Sequence, residues 1–197
     1  MTSNIHSTRL DLIPLTPPVI RALLAGDHGA AGRLLGVCWP ADCAVHTDAL
    51  EMRLDQLDAD PGLQPWLMRA MVLRENGVAV GTIGFHSAPG HESLAELAPG
   101  AAEFGYEVTA AYRRQGLASE AILALIRWAQ EQHGVERFVV SISPDNEPSL
   151  GLAANLGFRK IGWHMDEVDG PEDIFEKRIG GEAKERCKQE EVPSPNA

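Results

Sequence analysis

No apolar run in this chain approaches the roughly 20 residues that span a bilayer, so no membrane-spanning helix is expected. Residues 1–6 lack the basic-then-apolar pattern of a secretory leader, and a cytoplasmic location is the expectation. Cysteine is scarce. Cys38, Cys43 and Cys187 make an odd count with no Cys-x-x-Cys spacing, which argues against a disulfide framework and a structural zinc site. Positive charge is also short: 17 Lys and Arg face 28 Asp and Glu, a net charge of −11. That balance leaves no basic stripe for general nucleic-acid binding, although two local arginines are enough to reverse the field inside one cleft. The 7 histidines are scattered with no His-Glu-x-x-His helix. His86 and His91, close together in a loop-like stretch, are not expected to hold a metal. No Gly-x-Gly-x-x-Gly follows an early strand and no Lys-Ser/Thr follows Gly116, so neither a dinucleotide fold nor a kinase-type P-loop fits.

What the chain does carry is one dense motif, Tyr112-Arg113-Arg114-Gln115-Gly116-Leu117-Ala118, opening a long apolar helix. The first N–H groups of a helix have no internal partner, and the macrodipole makes that end partly positive. Such an end accepts phosphate or pyrophosphate. Gly116 lets backbone approach a ligand without a Cβ in the way, and Ala118 keeps the next turn small.

Around this motif the chain alternates. Residues 9–15 read as a strand, and Thr16 as the cap of a short helix entered through Pro17 and Pro18 and carried to Gly26 by Val19, Ile20, Leu23 and Leu24. A second helical piece covers 30–35, and 47–57 is amphipathic, with Leu50, Leu54 and Leu57 on one face. Strands at 66–73 and 78–86 join across Glu75-Asn76-Gly77, a strong hairpin signal. After a long loop over 87–100 come a strand at 102–109 and a helix over 116–133. That helix has Ala118, Ala121, Ile122, Leu125 and Ala129 as its core stripe, Glu120 and Arg127 outward, and Gly134 as its stop. A nearly continuous apolar strand at 138–142 follows, then a helix over 146–156 and strands at 158–165 and 174–178. The strand-helix-strand unit over 102–142 implies a parallel pair. The expected fold class is α/β: one domain with a mixed, mostly antiparallel sheet of about six or seven strands, a central parallel pair and flanking helices. Residues 1–179 are read as that domain, and 180–197, polar and charged with a late Pro-Ser-Pro, as a disordered tail.

The residues also resemble a known family. Arg113-x-x-Gly116-x-Ala118 is similar to the acyl-CoA signature of the GNAT superfamily of N-acetyltransferases. Glu103-Phe104-Gly105-Tyr106-Glu107-Val108 before it, Ala118-Ser119-Glu120-Ala121 within it, and Asn146-Glu147-Pro148-Ser149 with Leu156-Gly157-Phe158 after it resemble the branch of RimJ/RimL-type ribosomal-protein N-terminal acetyltransferases, as does the opening 8–15. The resemblance implies acetyl-CoA as co-substrate. The backbone of Arg114, Gln115, Gly116, Leu117, Ala118 and Ser119 would cradle the CoA pyrophosphate, and Arg113 and Arg114 would supply positive charge. Val108 would bond the pantetheine amides through its backbone, and Asn146 would contact the pantetheine arm near the thioester.

Acetyl transfer needs a neutral amine, a polarised thioester carbonyl and a proton for the thiolate. Alternation along 102–109 places Glu103, Gly105 and Glu107 on one face, a plausible cleft wall; Glu103 is the first candidate base and Glu107 the second, with a solvated sheet face as the plain structural alternative. The tyrosine that many GNAT enzymes place four residues before the Gly of Gly-Phe is Ala153 here; the resemblance offers Ser149 instead as proton donor. Asn146 is equally a good helix cap. Trp39 and Trp66 are candidates for an acceptor pocket or for core, and Cys38 and Cys43 for packing rather than acyl transfer. The expected function is acetyl transfer to a primary amine, a protein N-terminus or a small molecule. A non-catalytic acyl-CoA-binding module and a different acyl donor stand as alternatives, and oligomeric state is open, a homodimer included.

Overall fold

The computed structural model describes residues 3–91, 94–166 and 170–180. It contains one eight-stranded sheet ordered β1-β2-β3-β4-β5-β6-β8-β7. The strands are β1 Ile5–His6, β2 Leu10–Pro14, β3 Arg69–Leu73, β4 Ala79–Phe85, β5 Ala102–Val108, β6 Arg137–Ile142, β7 Arg159–Asp166 and β8 Gly170–Arg178. Neighbours are antiparallel except β5 and β6, which run parallel. The mixed sheet with its parallel pair is therefore as expected. The strand beyond the expected number is β1, whose pairing with Asp11 and Leu12 involves too few residues to leave an alternating pattern. β3 starts later than the apolar run: Trp66 sits in a turn, its N–H on Leu63 O at 2.9 Å, and only its carbonyl touches the sheet, through Phe85 N–H at 2.9 Å. The tail expected from Gly180 lies, from residue 181 on, outside the described residues.

The helices are α1 Pro17–Leu24, α2 His28–Leu35, α3 Thr47–Ala59, α4 Leu117–His133 and α5 Glu147–Asn155. Thr16 occupies the cap position of α1 without a side-chain capping bond. The cause is local: a capping hydroxyl reaches the second or third helical N–H, and the second position is Pro18, which has none. The turn between β3 and β4 is built as its Asn-Gly predicts: Gly77 takes φ 71° and Asn76 Oδ1 accepts from Val78 N–H at 3.1 Å.

Two apolar layers sandwich the sheet. On one face α4 packs Ile122 and Leu125 onto Phe85, Phe104 and Phe138. On the other, Ile20, Leu50 and Leu57 from α1 and α3 cover Leu67, Ala70 and Val72. A small cluster of Leu94, Ala98, Ala101, Val139 and Ile174 closes the far end. Each such side chain withdrawn from water contributes about 1.5–3 kcal/mol, so these layers hold the sheet rigid behind its polar positions.

One cation lies inside this apolar frame. Arg69, at the start of β3, is fully buried and donates to Ser3 O at 3.0 Å, Leu12 O at 3.3 Å and Pro65 O at 2.8 Å. Its guanidinium carbon stands 5.2 Å from the centre of the Trp128 ring. Burial pulls its pKa down to about 10, so it stays charged at neutrality and ties the N-terminal segment, β2 and the turn before β3 to one point. Replacing a planar fork by a point charge leaves buried carbonyls without donors, each worth about 1–3 kcal/mol. Arg69→Lys is expected to lower the unfolding free energy by about 2 kcal/mol in urea, and Arg69→Ala by more; a loss under about 0.5 kcal/mol for both would show that the three carbonyls do not depend on it.

Candidate functional site

β5 and β6 pair only at Ala102–Phe138 and Glu103–Val139. Beyond that point β5 continues to Val108 on β4, and β6 continues to Ile142 on β8. The two strands therefore part, and α4 and α5 begin at the mouth of the gap. A cleft of about 620 Å³ fills it. Val108, Arg113, Arg114, Gly116, Leu117, Ala118, Ser119, Asn146 and Ser149 line this cleft together. Gln115 does not; its carbonyl accepts from Arg9 and its side chain donates to Ala111 O at 3.2 Å.

The chain makes the helix entrance in a few residues. Arg114 takes φ 60°, the one non-glycine positive φ among the described residues, and Gly116 caps α4 at φ 77°. A non-glycine residue held there costs of order 1–2 kcal/mol, strain of the kind that collects at ligand-binding loops. Glu120 N–H is the first to reach a helical carbonyl, Gly116 O at 3.1 Å, and no side chain caps the helix. The N–H groups of Leu117, Ala118 and Ser119 thus stand at the helix end facing the cleft. Arg113 turns back: its Nε donates to Val108 O at 2.8 Å, tying the loop to the end of β5.

Glu120, expected on the outer face of α4, is instead held beside the cradle. Its carboxylate accepts from Ser7 Oγ at 2.7 Å, Arg9 N–H at 2.6 Å and Arg9 Nε at 2.6 Å. Burial raises its pKa, but the bonds from the Arg9 backbone, Ser7 and the Arg9 guanidinium outweigh that and hold it below the usual carboxylate range. Arg9 Nη1 also donates to Gln115 O at 3.0 Å. One arginine from the N-terminal segment therefore braces the cradle loop and neutralises its nearest carboxylate.

On the other face of β5 lies a second pocket of about 290 Å³. The two hollows share His46, Tyr106 and Glu107. Glu107 stands where they meet, 3.1 Å from His46 Nε2. Glu103 lines neither hollow; it accepts from Ser141 Oγ at 2.6 Å, with His86 Nδ1 3.7 Å away. Burial pushes its carboxyl up, but His86, the Ser141 hydroxyl and the charge of His164 prevail and keep it below its ordinary value. A carboxylate so stabilised is a weak proton acceptor. At the other wall, Asn146 caps α5 by accepting from Ser149 N–H at 3.2 Å, which leaves its amide NH₂ free of that bond. Tyr106, whose pKa burial raises and a hydrogen bond with Ser149 lowers, brings a phenol to the same spot. Ala153, where a tyrosine would otherwise stand, is buried.

Several lining residues carry no motif. His46, Arg53, Thr82, His86 and Glu172 come from three stretches of chain: α3 and the residue before it, β4 and the residue after it, and β8. Arg53 alone left a trace in the sequence: it lies between Leu50 and Leu57 on the apolar stripe of α3, a charge at a core position. Trp39 and Trp66 are core, under α1–α3 and against Phe85 and Trp128 respectively. Burial pushes the Cys43 thiol up to about 11, so it is not a nucleophile at neutral pH.

The brace makes a sign-specific prediction. Arg9→Ala leaves the Glu120 charge bare at the α4 entrance and should weaken binding of a pyrophosphate-bearing ligand there by about tenfold, roughly 1.4 kcal/mol. Adding Glu120→Gln should recover most of that in calorimetric titration, because the repulsion goes with the charge. A double variant as weak as Arg9→Ala alone would show that neutralisation is not what Arg9 does.

Known proteins resemble the chain in parts and as a whole. The uncharacterized N-acetyltransferase p20 of Bacillus licheniformis is 29% identical over 97 residues, 49% of this chain and 51% of p20. The ribosomal protein uS5-alanine N-acetyltransferase of Escherichia coli is 35% identical over 68 residues, 34% of this chain and 35% of that enzyme. The chain spans about half the length of the first curated relatives it matches. The solved ribosomal-protein-S5-alanine acetyltransferase from Vibrio fischeri shares the fold, with a TM-score of 0.60 at 17% identity, over 91% of this chain and 98% of that one. A family model described as an acetyltransferase (GNAT) domain matches residues 9–159, and with its parted parallel strands and uncapped α4 entrance the chain belongs to that family.

Proposed function

We propose that the protein is an acetyl-CoA-dependent N-acetyltransferase, with residues 1–179 as the working unit and the cytoplasm as its setting. The observation that carries this reading is the meeting of two hollows at Tyr106 and Glu107: one ends in the free N–H groups of α4, the other is lined by carboxylates. The cradle of Arg114, Gly116, Leu117, Ala118 and Ser119 takes the pyrophosphate, with Gln115 turned away from the cleft. Val108, on the edge of β5 that β6 has left, pairs with the pantetheine arm as an added strand would, and Asn146 offers its amide NH₂. The thioester then reaches the junction. There the amine nitrogen attacks the carbonyl carbon, the C–N bond forms, the C–S bond breaks, and the sulfur takes a proton. Ser149, backed by the Tyr106 phenol, supplies that proton. Glu107 draws the incoming amine by charge, and Glu103 acts behind the surface as a fixed anion.

A protein N-terminus is the favoured acceptor, because the Escherichia coli relative is named for the alanine of a ribosomal protein and the second pocket is of a size for the first residue of a chain. Calorimetric titration with acetyl-CoA, beside acetylation of a panel of N-terminal peptides and primary amines followed by mass, tests the whole. Micromolar binding is expected, lost in Gly116→Asp, and Ser149→Ala should lower kcat by roughly tenfold or more at unchanged acetyl-CoA KM. A folded protein that binds no CoA species would overturn the reading; Ser149→Ala with parental kcat would remove Ser149 from it.

A further inference from the structure

His86 is fixed from two sides. It follows β4, its N–H donates to Glu103 O at 2.8 Å, and its carbonyl accepts from Arg53 Nη1 at 3.2 Å and Gln56 Nε2 at 2.9 Å. β5 and α3 thus hold the backbone between them. The ring is placed just as closely. Nδ1 lies 3.7 Å from Glu103 Oε2, and Nε2 stands 2.9 Å from where a Cβ on residue 105 would sit. The imidazole therefore lies across Gly105 on the floor of the second pocket, where a Cβ on residue 105 would push the ring from this place. Its side chain remains 42% exposed, open to whatever enters. Glu107, the next same-face position of β5, is about 7 Å farther along, where the two hollows meet.

We infer that His86 is the group that takes the proton from the acceptor amine, and that Glu103 is the positioning residue beside its Nδ1; this rests on the acetyl-transfer reading above. With Nδ1–H turned to Glu103, Nε2 carries the lone pair over the pocket floor. As the amine nitrogen bonds the thioester carbon, His86 Nε2 accepts one N–H proton. The C–S bond breaks with its electron pair on sulfur, which takes a proton from the Ser149–Tyr106 side. His86 releases its proton to solvent and solvent restores the donor, so amine and acetyl-CoA become amide and free CoA thiol. The charges around the ring favour this. Glu103 and Glu107 from β5 and Glu172 from β8 face it with His46 ahead of α3, while Arg53 of α3 opposes; His164 of β7 is engaged by Glu172 at 3.1 Å. The imidazolium formed in transfer has Glu103 as its counter-ion, as in other His–carboxylate pairs. The Glu-x-Gly-x-Glu segment then has three tasks: Glu103 holds the imidazole, Gly105 makes space for it, and Glu107 attracts the amine.

The test uses the fastest acceptor from the peptide and amine panel, with kcat/KM followed against pH and acetyl-CoA affinity measured in parallel. His86→Ala is expected to lose about 100-fold in kcat with acetyl-CoA affinity within about twofold, to lose the acid limb of the profile, and to regain at least tenfold with added imidazole. His86→Gln, which keeps a polar side chain of similar size, should lose as much. Glu103→Gln should lose about tenfold in kcat with acetyl-CoA affinity within about twofold, because the imidazolium formed in transfer loses its counter-ion. His86→Ala and His86→Gln with the parental rate and profile would overturn the inference, as would a loss of rate matched by a loss of acetyl-CoA affinity. If the parent protein itself acetylates no amine on the panel, the acetyl-transfer reading falls first; parental turnover untouched by His86→Ala sinks this inference alone.

Discussion

The site depends on β5 and β6 separating after two paired positions. Each strand keeps a full partner on its outer side, β4 for one and β8 for the other, so only the inner hydrogen bonds are given up. Parallel strands joined by a crossover helix put the carboxyl ends of both strands and the starts of the following helices on the same side. The gap therefore opens where α4 and α5 begin, and the unbonded N–H groups of α4 meet the edge of β5 that β6 has left. The apolar layers on either face of the sheet keep those edges from closing or sliding. An extended ligand that is anionic at one end and amide-rich along its length matches that arrangement.

Electrostatics in this protein is a local matter. The chain carries a net charge of −11, yet the α4 entrance is locally positive, because its polarity comes from the helix end and the adjoining arginines rather than from the whole surface. Two unit charges about 6 Å apart at an effective dielectric of about 20 interact by about 3 kcal/mol. Solvent at the open cleft screens part of that, and an unneutralised Glu120 in the first turn of α4 would oppose a pyrophosphate by roughly half of it, about 1.4 kcal/mol; Ser7 and Arg9 prevent it. The second pocket has the opposite sign: Glu107 and Glu172 line it, and His86 and Ser141 hold the half-buried Glu103 below its ordinary pKa.

Much of this was legible in the residues. The helix of α4 and its glycine stop, the Asn-Gly turn and the parallel pair follow from periodicity and turn chemistry, which act over a few neighbours. The motif at the α4 entrance was legible as one stretch for the same reason, since its residues are contiguous; all of Arg113 to Ser119 but Gln115 line the cleft. What escaped was assembled across the chain. β1 is too short for a pattern, and the Arg9–Glu120 brace joins residues from opposite ends of the fold. Alternation put Glu103 and Glu107 on the same face correctly, but it does not reveal that Glu103 is covered by His86 and Ser141 while Glu107 is open to both hollows. His86, at the end of the strand read over 78–86, carried no sign of a role because its surroundings, Arg53 and Gln56 of α3 and Gly105 of β5, are remote in sequence. Arg53 was the one residue with a readable anomaly, a cation on an apolar stripe.

A crystal structure of the protein with acetyl-CoA bound tests the central claim most directly. The account predicts pyrophosphate oxygens within hydrogen-bonding distance of the Leu117, Ala118 and Ser119 N–H groups, the pantetheine arm along the free edge of β5, and the thioester carbon at the junction beside Tyr106 and Glu107. A pyrophosphate bound elsewhere, or a thioester that stops short of that junction, would contradict it.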